Sequence, residues 1–382
     1  MIQRPDWMND LSRACGRSPV TALLGPRQCG KTTLAKAFAV GKESTYFDLE
    51  SQPDLRRLEN PEMVLGNLEG LVVLDEIQEQ AELFNVLRVL VDRSEGQAKY
   101  LILGSASPAI IRNVSQSLAG RVEFIELTGF DLGEIDNAKL ERLWVRGGFP
   151  RSYLAESEED SFAWREGFIR TFLQRDIPML GITVPSAAMR RFWTMLAHYH
   201  GQNWNASEFA RSMGLSDKTV RSYLDILTGA FMVRQLQPWF ENIAKRQVKS
   251  PKVYLRDSGL LHGLLSIPDR HSLLGHPRSG ASWEGFALEQ VVRAVRPAEP
   301  YFWATHGGAE LDLFFIAGGR RFGVEFKLSE APKVTTSMRI ALKDLNLDHL
   351  WVVYPGKNAY EVSERISVLP LKKVREIGLE IR

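Results

Sequence analysis

The stretch "VTALLGPRQCGKTTLAKAFAV", Val20 to Val40, constrains the fold more than any other part of the chain. Val20 to Leu24 are mostly apolar and β-prone, and from Lys31 onward Leu34, Ala35 and Phe38 recur at helical spacing. Between strand and helix, Gly25-Pro-Arg-Gln-Cys-Gly30-Lys31-Thr32 satisfies G-x-x-x-x-G-K-[ST] at every position. Glycines in such a loop let backbone N–H groups wrap a phosphate, and the helix start adds unpaired donors and a positive dipole end. Lys31 supplies a cation for β- and γ-phosphates, and the Thr32 hydroxyl is suited to coordinate Mg²⁺. Gly25, Arg27, Gln28, Cys29, Gly30, Lys31, Thr32 and Thr33 are therefore the candidate nucleotide-binding residues, with ATP and Mg²⁺ as the expected cofactors.

Two further strands supply the rest of such a site. "GLVVLDEIQ" is a buried-strand run ending in Asp75 and Glu76. Carboxylates at the end of an apolar strand are costly to bury unless a cation or water occupies the site. In a P-loop ATPase Asp75 would hold Mg²⁺ and Glu76 would polarise the attacking water. "YLILGSAS" ends in Ser105 and Ser107, either of which could sense the γ-phosphate. The amphipathic stretch "NVLRVLVDR" lies between the two. Strands alternating with helices predict a parallel sheet covered on both faces, with the ligand at the strands' C-terminal ends.

Composition narrows the class. A chain of 382 residues is expected to form more than one domain. The net charge is only +2, so any preference for nucleic acid must come from a local patch. Two cysteines, Cys15 and Cys29, make neither a disulfide framework nor a zinc site. No apolar run approaches the roughly 20 residues of a membrane span. The start "MIQRPDWMND" lacks the apolar region of a signal peptide. A cytoplasmic protein without membrane attachment is expected.

"GPRQCGKTTL", "YFDLE", "LVVLDEIQ", "LILGSAS", "SLAGRVEFIEL" and "RGGFP", in this order, resemble the predicted AAA+ superfamily ATPases that join an AAA_14 P-loop domain to a DUF4143 C-terminal region. The resemblance covers nearly the whole chain. It implies that Arg121, in "LAGR", is an arginine finger or a sensor arginine, neutralising charge on the transferred phosphoryl group. The plain alternative is an ion pair with a carboxylate such as Glu123. A finger acting in trans would imply a homo-oligomer or a protein partner. From Gly147 to about Ile182 the chain is helix-rich, resembling the small helical lid that packs over nucleotide in the family. There Phe162, Phe168, Phe172 and Leu173 form the apolar side, with Arg165, Arg170, Arg175 and Asp176 elsewhere.

"NASEFARSMGLSDKTVRSYLDILTGAFMVRQL" reads as a helix-turn-helix. Asn205 and Glu208 begin the first helix, Gly214 ends it, and Ser216 caps a second that carries Val220, Tyr223, Leu224 and Leu227. "PWFENIAKRQVKSPKVYLRDSGLLHGLL" follows as a β wing and closing helix. Asn205 to Arg256 contain nine Lys or Arg and four Asp or Glu, a local net charge of +5. If this unit binds nucleic acid, with DNA favoured, Lys218, Arg221 and Ser222 project from the second helix. Lys245, Arg246, Lys249 and Lys252 would then lie on phosphates.

After "LLGHPRSG", the helix "ASWEGFALEQVVRAV" presents Trp283, Phe286, Ala287 and Val291 on an apolar side. "ELDLFFIAGGRRFGVEFK" then predicts a hairpin about Gly318-Gly319, which places Asp312 opposite Glu325 with Lys327 alongside. Leu311, Leu313 and Phe315 are expected on one face, and Asp312, Phe314 and Ile316 on the other. Opposed like charges require a cation, either Lys327 or a divalent metal. Asp312 followed by Glu325-x-Lys327 resembles the PD-(D/E)xK nuclease motif. The resemblance implies Glu284, Asp312 and Glu325 as metal ligands, with Glu289 close to Glu284, and Lys327 as a catalytic lysine.

The expected fold class is thus α/β and multidomain. Residues 1–136 form a P-loop AAA+ ATPase core, 137–200 a helical lid, 201–272 a winged helix-turn-helix and 273–382 a PD-(D/E)xK nuclease-like domain. The expected function is ATP hydrolysis coupled to nucleic-acid binding, with metal-dependent cleavage as a further activity. The alternative is a nucleotide-gated interaction module whose nuclease-like domain is inactive.

Overall fold

The computed structural model describes residues 2–93, 98–105, 114, 116–179 and 184–381. Packing divides the chain into two units, Met1–Gly129 with Gly229–Phe231, and Phe130–Thr228 with Met232–Arg382.

The first unit is built on β1 (Val20–Gly25), β2 (Ser44–Asp48), β3 (Gly70–Asp75), β4 (Ala98–Ser105) and β5 (Val122–Glu126). They form one sheet of order β2-β3-β4-β1-β5 in which every pairing is parallel. The strands read as unbroken apolar runs because both faces are covered. Val20, Ala22 and Leu24 pack with Val72, Leu74 and Ile102 in one cluster, while Leu23, Val73, Leu101 and Leu103, on the other face, are also fully buried. The helix Leu83–Asp92 buries Leu83, Phe84, Leu87 and Leu90, as the amphipathic pattern predicts.

In the second unit, the helix Glu158–Thr171 starts at Ser157, whose side chain accepts from the Asp160 N–H. Phe168 and Phe172 are buried as expected. Arg165, expected on the polar side, is instead fully buried and donates to the carbonyls of Val145, Ser161, Gly259 and Pro268. Burial draws its guanidinium down to about 10. It thereby ties this helix to the helix Ser258–Leu264 and its flanks. Ile182, the expected end of the helix-rich stretch, lies outside the described residues.

Next come the helix Ser186–His198, β6 (Gln202–Asn203), the helices Ala206–Met213 and Asp217–Gly229, then β7 (Val233–Pro238) and β8 (Lys252–Leu255). Asn205 caps the first of the paired helices through the Glu208 N–H, Gly214 ends it at φ +69°, and Ser216 accepts from the Thr219 N–H. β8 pairs antiparallel with both β6 and β7. Residues 239–251 are not a free wing. Trp239 and Val248 donate backbone hydrogen bonds to Phe302 and Ala304, and Gln247 bridges Thr305.

β9 (Tyr301–Ala304), β10 (Glu310–Ala317), β11 (Arg320–Phe326), β12 (His349–Tyr354), β13 (Tyr360–Ser363) and β14 (Ile366–Pro370) complete the unit. β7 pairs parallel with β9, so nine strands join in the order β13-β14-β12-β11-β10-β9-β7-β8-β6. The stretches expected as separate domains, 201–272 and 273–382, therefore share one sheet. The hairpin has the predicted register, Ala317 opposite Arg320 through Leu313 opposite Val324, with Gly318 at φ +56° and Gly319 at φ +75°. The expected alternation of faces fails at its start. The β9 pairing shifts between Leu311 and Phe314, and both side chains enter the same core with Met338 and Ala341 of the helix Thr336–Asp344.

The helix Ser279–Val295 carries Glu289, 2% exposed, whose carboxylate accepts from Arg234 at 2.5 and 3.0 Å. Arg256 stands 3.7 Å away. Burial alone would raise this carboxyl, but the two guanidinium groups bring it down to about 2. A depressed carboxyl contributes stability that is full above the unfolded value and lost as pH falls through the folded one. Wild-type stability should therefore drop between about pH 4.5 and 2. Glu289→Gln should lower the urea midpoint of the second unit at neutral pH, by about 3 kcal/mol in stability, because two half-buried guanidiniums lose their buried partner.

Candidate functional site

β1, β4 and β3 end side by side and bring the first site together. The Lys31 ammonium is buried and donates to the carbonyls of Gly25 and Pro26 at 3.1 and 2.9 Å, folded over its own loop. Thr32 Oγ1 donates to Asp75 Oδ2 at 2.7 Å, and the Tyr46 hydroxyl donates to the same oxygen. Burial and the Asp75 carboxylate push the Tyr46 phenol up, which keeps it a donor. Glu76 has left-handed backbone, φ +56°, and its N–H donates to Asp75 Oδ1 at 3.0 Å. Gln78 donates to Glu76 Oε2, and Ser105 Oγ lies 3.5 Å from that oxygen. Lys31, Thr32, Asp75, Glu76 and Ser105 are thus brought together. Ser107 lies outside the described residues.

Local packing explains the remaining loop residues. Gly25 cannot carry a side chain, because a Cβ there would lie 2.3 Å from the Leu127 carbonyl oxygen. Gln28 at φ +62° and Gly30 at φ +100° shape the loop into the helix Lys31–Ala39. Arg27 pairs with Glu50 at 3.0 Å, and Thr33 is exposed. Cys29 is buried against Leu127, and burial pushes its thiol up, so it packs as a neutral group. Its carbonyl accepts from Arg4 at 3.1 Å, and Arg4 also donates to the carbonyls of Thr128 and Gly129. Arg4, Tyr46 and Gln78 escape sequence reasoning. No pattern marks Arg4, and Tyr46 reaches Asp75 only because β2 lies beside β3.

Arg121 is placed elsewhere. It precedes β5 at the edge where Val20 begins β1, and the P-loop follows the other end of that strand. Six residues of strand separate the two by roughly 17 Å. Its guanidinium makes a two-pronged pair with Asp92 at 2.6 and 2.9 Å, while Glu123 pairs with Arg17 instead. In this arrangement Arg121 pairs with Asp92 and does not reach the P-loop of its own chain.

A second cluster lies in the second unit. Glu284 on the helix Ser279–Val295, Glu310 and Asp312 on β10, and Glu325 on β11 approach one another, with Lys327 just after β11. The backbone N–H of Asp312 donates to Glu325 Oε2 at 3.3 Å and that of Phe326 to Asp312 Oδ2 at 3.0 Å. Lys327 donates to Glu325 Oε1 at 3.0 Å, as the hairpin arithmetic predicts. Burial pushes Glu284 up to about 7 and Glu325 up to about 8, with Asp312 adding to both shifts. Lys252 corrects its expected role. It is 3% exposed and its ammonium faces Glu284, Glu310 and Asp312, so it is not a surface phosphate contact. Among the described residues, no group of three or more His, Cys, Asp or Glu side chains is placed to hold a metal ion. Glu289 belongs to the separate pair with Arg234.

The other basic residues divide in the same way. Lys218, Arg221 and Ser222 are exposed on the helix Asp217–Gly229. Arg246 and Lys249 are exposed, whereas Lys245 pairs with Asp344 at 2.6 Å. Among the described residues, no helix is long and apolar enough to cross a membrane.

A five-stranded parallel sheet with a P-loop after β1 and an acidic pair after β3 defines a P-loop nucleoside triphosphatase domain of ATPase type. Residues 17–136 match the family described as AAA domain, and 137–271 and 279–374 match two domains of unknown function, DUF8612 and DUF4143. Over 378 residues the chain is 49% identical to the uncharacterized proteins Rv2008c of Mycobacterium tuberculosis and Mb2031c of Mycobacterium bovis. The match covers 99% of this chain and 86% of each relative. The chain belongs to the family of these two proteins, an AAA-type P-loop domain joined to a DUF4143 region, as its motifs predict. Among solved structures, the Walker-type ATPase PABY2304 of Pyrococcus abyssi has a similar fold, with a TM-score of 0.51 at 15% identity. That likeness covers 69% of this chain and 96% of the archaeal one.

Two substitutions should separate binding from turnover. Lys31→Ala should weaken ATP binding at least about tenfold by calorimetry, since the loop loses its cation for the phosphates. Glu76→Gln should keep ATP binding and lower hydrolysis by about 100-fold or more, read as phosphate release.

Proposed function

We propose that the chain binds and hydrolyses ATP with Mg²⁺ and that its nucleotide state controls binding of DNA by the second unit. The observation that carries the first part is the Thr32–Asp75 contact of 2.7 Å beside Glu76 and Ser105. Asp75 there receives only neutral donors, two hydroxyls and an N–H, which fits a site that takes up a cation with its nucleotide. Thr32 and Asp75 would hold Mg²⁺, which would supply neutralisation of phosphate charge when bound. Lys31 would turn from its loop carbonyls to the phosphates. Glu76 would orient and deprotonate the attacking water, and Ser105 would report the γ-phosphate. Arg121 would act only on nucleotide held by another copy of the chain, a role that requires a homo-oligomer.

For DNA binding, the support is the order helix, β6, two helices, β7 and β8, which agrees with the expected winged-helix order although the stretch between β7 and β8 packs on β9. Lys218 and Arg221 stand exposed on the second of the paired helices, the one that enters the major groove in such units. Metal-dependent cleavage at Glu284, Asp312, Glu325 and Lys327 is not part of the proposal, because the acids there face Lys252 and form no metal-holding group.

Fluorescence anisotropy on a labelled duplex, with and without ATP, tests this reading. Lys218→Glu with Arg221→Glu should weaken binding at least about tenfold and lower the salt slope by about one per residue. Lys245→Ala should change little, since that ammonium already pairs with Asp344. No duplex binding by the wild type under any nucleotide condition would leave the nucleotide-gated protein-interaction module as the function.

A further inference from the structure

We propose that Lys252 is a resident cation that closes the acidic cluster of the second unit to divalent metal, making the cluster a charged joint between β8 and β10. The chain's acids follow a metal-site pattern, yet each already has at least one oxygen engaged by the chain's own donors. Glu284 Oε1 accepts from the Tyr254 hydroxyl at 2.6 Å and lies 3.4 Å from the Lys252 ammonium. Asp312 Oδ1 lies 3.7 Å from the same ammonium, and Asp312 Oδ2 accepts from the Phe326 N–H. Glu325 divides its two oxygens between Lys327 and the Asp312 N–H. Glu310 gives Lys252 its third carboxylate. An ammonium has three protons and no lone pair, and this one faces three carboxylates, Glu284 and Glu310 directly and Asp312 at ion-pair distance.

The position of Lys252 is built rather than incidental. It opens β8, inside the sheet, with neighbours Val253 and Tyr254 buried. Lys252 stands 5.6 Å from the centre of the Phe302 ring, so its stem and head are both enclosed by protein. A long side chain is rarely this buried unless its charge is matched. A dication entering the cluster would have to displace this ammonium, or share the acids with it against direct repulsion. The cluster is therefore complete without an ion, which explains how the hairpin keeps Asp312, Glu325 and Lys327 together without a metal-holding group. This inference does not depend on what the first unit hydrolyses.

The test is Mn²⁺ titrated into the full chain without nucleotide, with free Mn²⁺ read by electron paramagnetic resonance. Wild type and Asp312→Asn should give the same isotherm, because neither binds the ion in this cluster. Lys252→Met should gain one site that binds at least about tenfold tighter than any in the wild type, lost again in Lys252→Met with Glu325→Gln. Lys252→Arg, which keeps the cation, should gain none. Wild-type binding that weakens tenfold or more in Asp312→Asn would overturn the proposal, and so would a folded Lys252→Met that gains no site. If Lys252→Met does not fold, the wild-type, Asp312→Asn and Lys252→Arg isotherms still decide.

Discussion

Three carboxylates of the second unit, Glu284, Glu289 and Asp312, take their cations from one stretch of chain. Glu289 is matched by Arg234 on β7 and by Arg256 just after β8. Glu284 and Asp312 are matched by Lys252 on β8. The acids stand on the helix Ser279–Val295 and on β10, so every pair crosses from the β7–β8 ribbon to the C-terminal elements. The hydrogen-bonded seam between those parts runs through Gln237 opposite Tyr301 and Pro238 opposite Phe302, and continues in the bonds of Trp239 and Val248 to Phe302 and Ala304. Breaking a buried pair strands its remaining charge in a poorly solvated interior, which costs far more than an exposed pair is worth. Charge matching thus adds to strand pairing in joining two sequence regions into one nine-stranded sheet.

That requirement also changes what the basic segment can offer a partner. Nine Lys or Arg against four acids between Asn205 and Arg256 describe a strongly positive patch on paper. Arg234, Lys252 and Arg256 face inward acids, and Lys245 has Asp344. The outward charge is carried by Arg211, Lys218, Arg221, Arg246 and Lys249, all exposed. A charge count along a sequence cannot tell the two kinds apart, because burial of a lysine stem leaves its head wherever the partner is.

Features set by neighbouring residues were legible. The P-loop, the caps at Asn205, Gly214 and Ser216, and the register about Gly318-Gly319 each follow from a few adjacent positions. The two-glycine turn fixed which residue opposes which, and thus brought Asp312 and Glu325 together before any contact was known. Long-range partners were not legible. Arg4 reaches carbonyls up to 125 residues away, and Lys252 reaches Glu284 across 32. Arg165 is a different failure, since its position was readable and its polarity misled. It lies three residues before Phe168 and seven before Phe172, on the buried stripe, and four carbonyls supply what burial demands. The alternation of β10 failed at Leu311 because a bulge is set by the neighbouring strand, not by the bulged one.

Asp75 and Asp312 are both buried aspartates among other acids, and sequence assigned both to a metal. Their donors differ in kind. Among the described residues, Asp75 receives the Thr32 and Tyr46 hydroxyls and the Glu76 N–H, all neutral, while the P-loop ammonium, Lys31, is turned to loop carbonyls. No cation of the chain is bonded to it among the described residues, and two of its three donors are hydroxyls whose O–H can rotate. Asp312 instead faces an ammonium of the chain itself, enclosed by protein and shared with Glu284 and Glu310. The number of acids is therefore a poor guide to a metal centre. What distinguishes a site that recruits an ion from one that is finished is whether its carboxylates are held by neutral donors or by a buried cation of the chain itself.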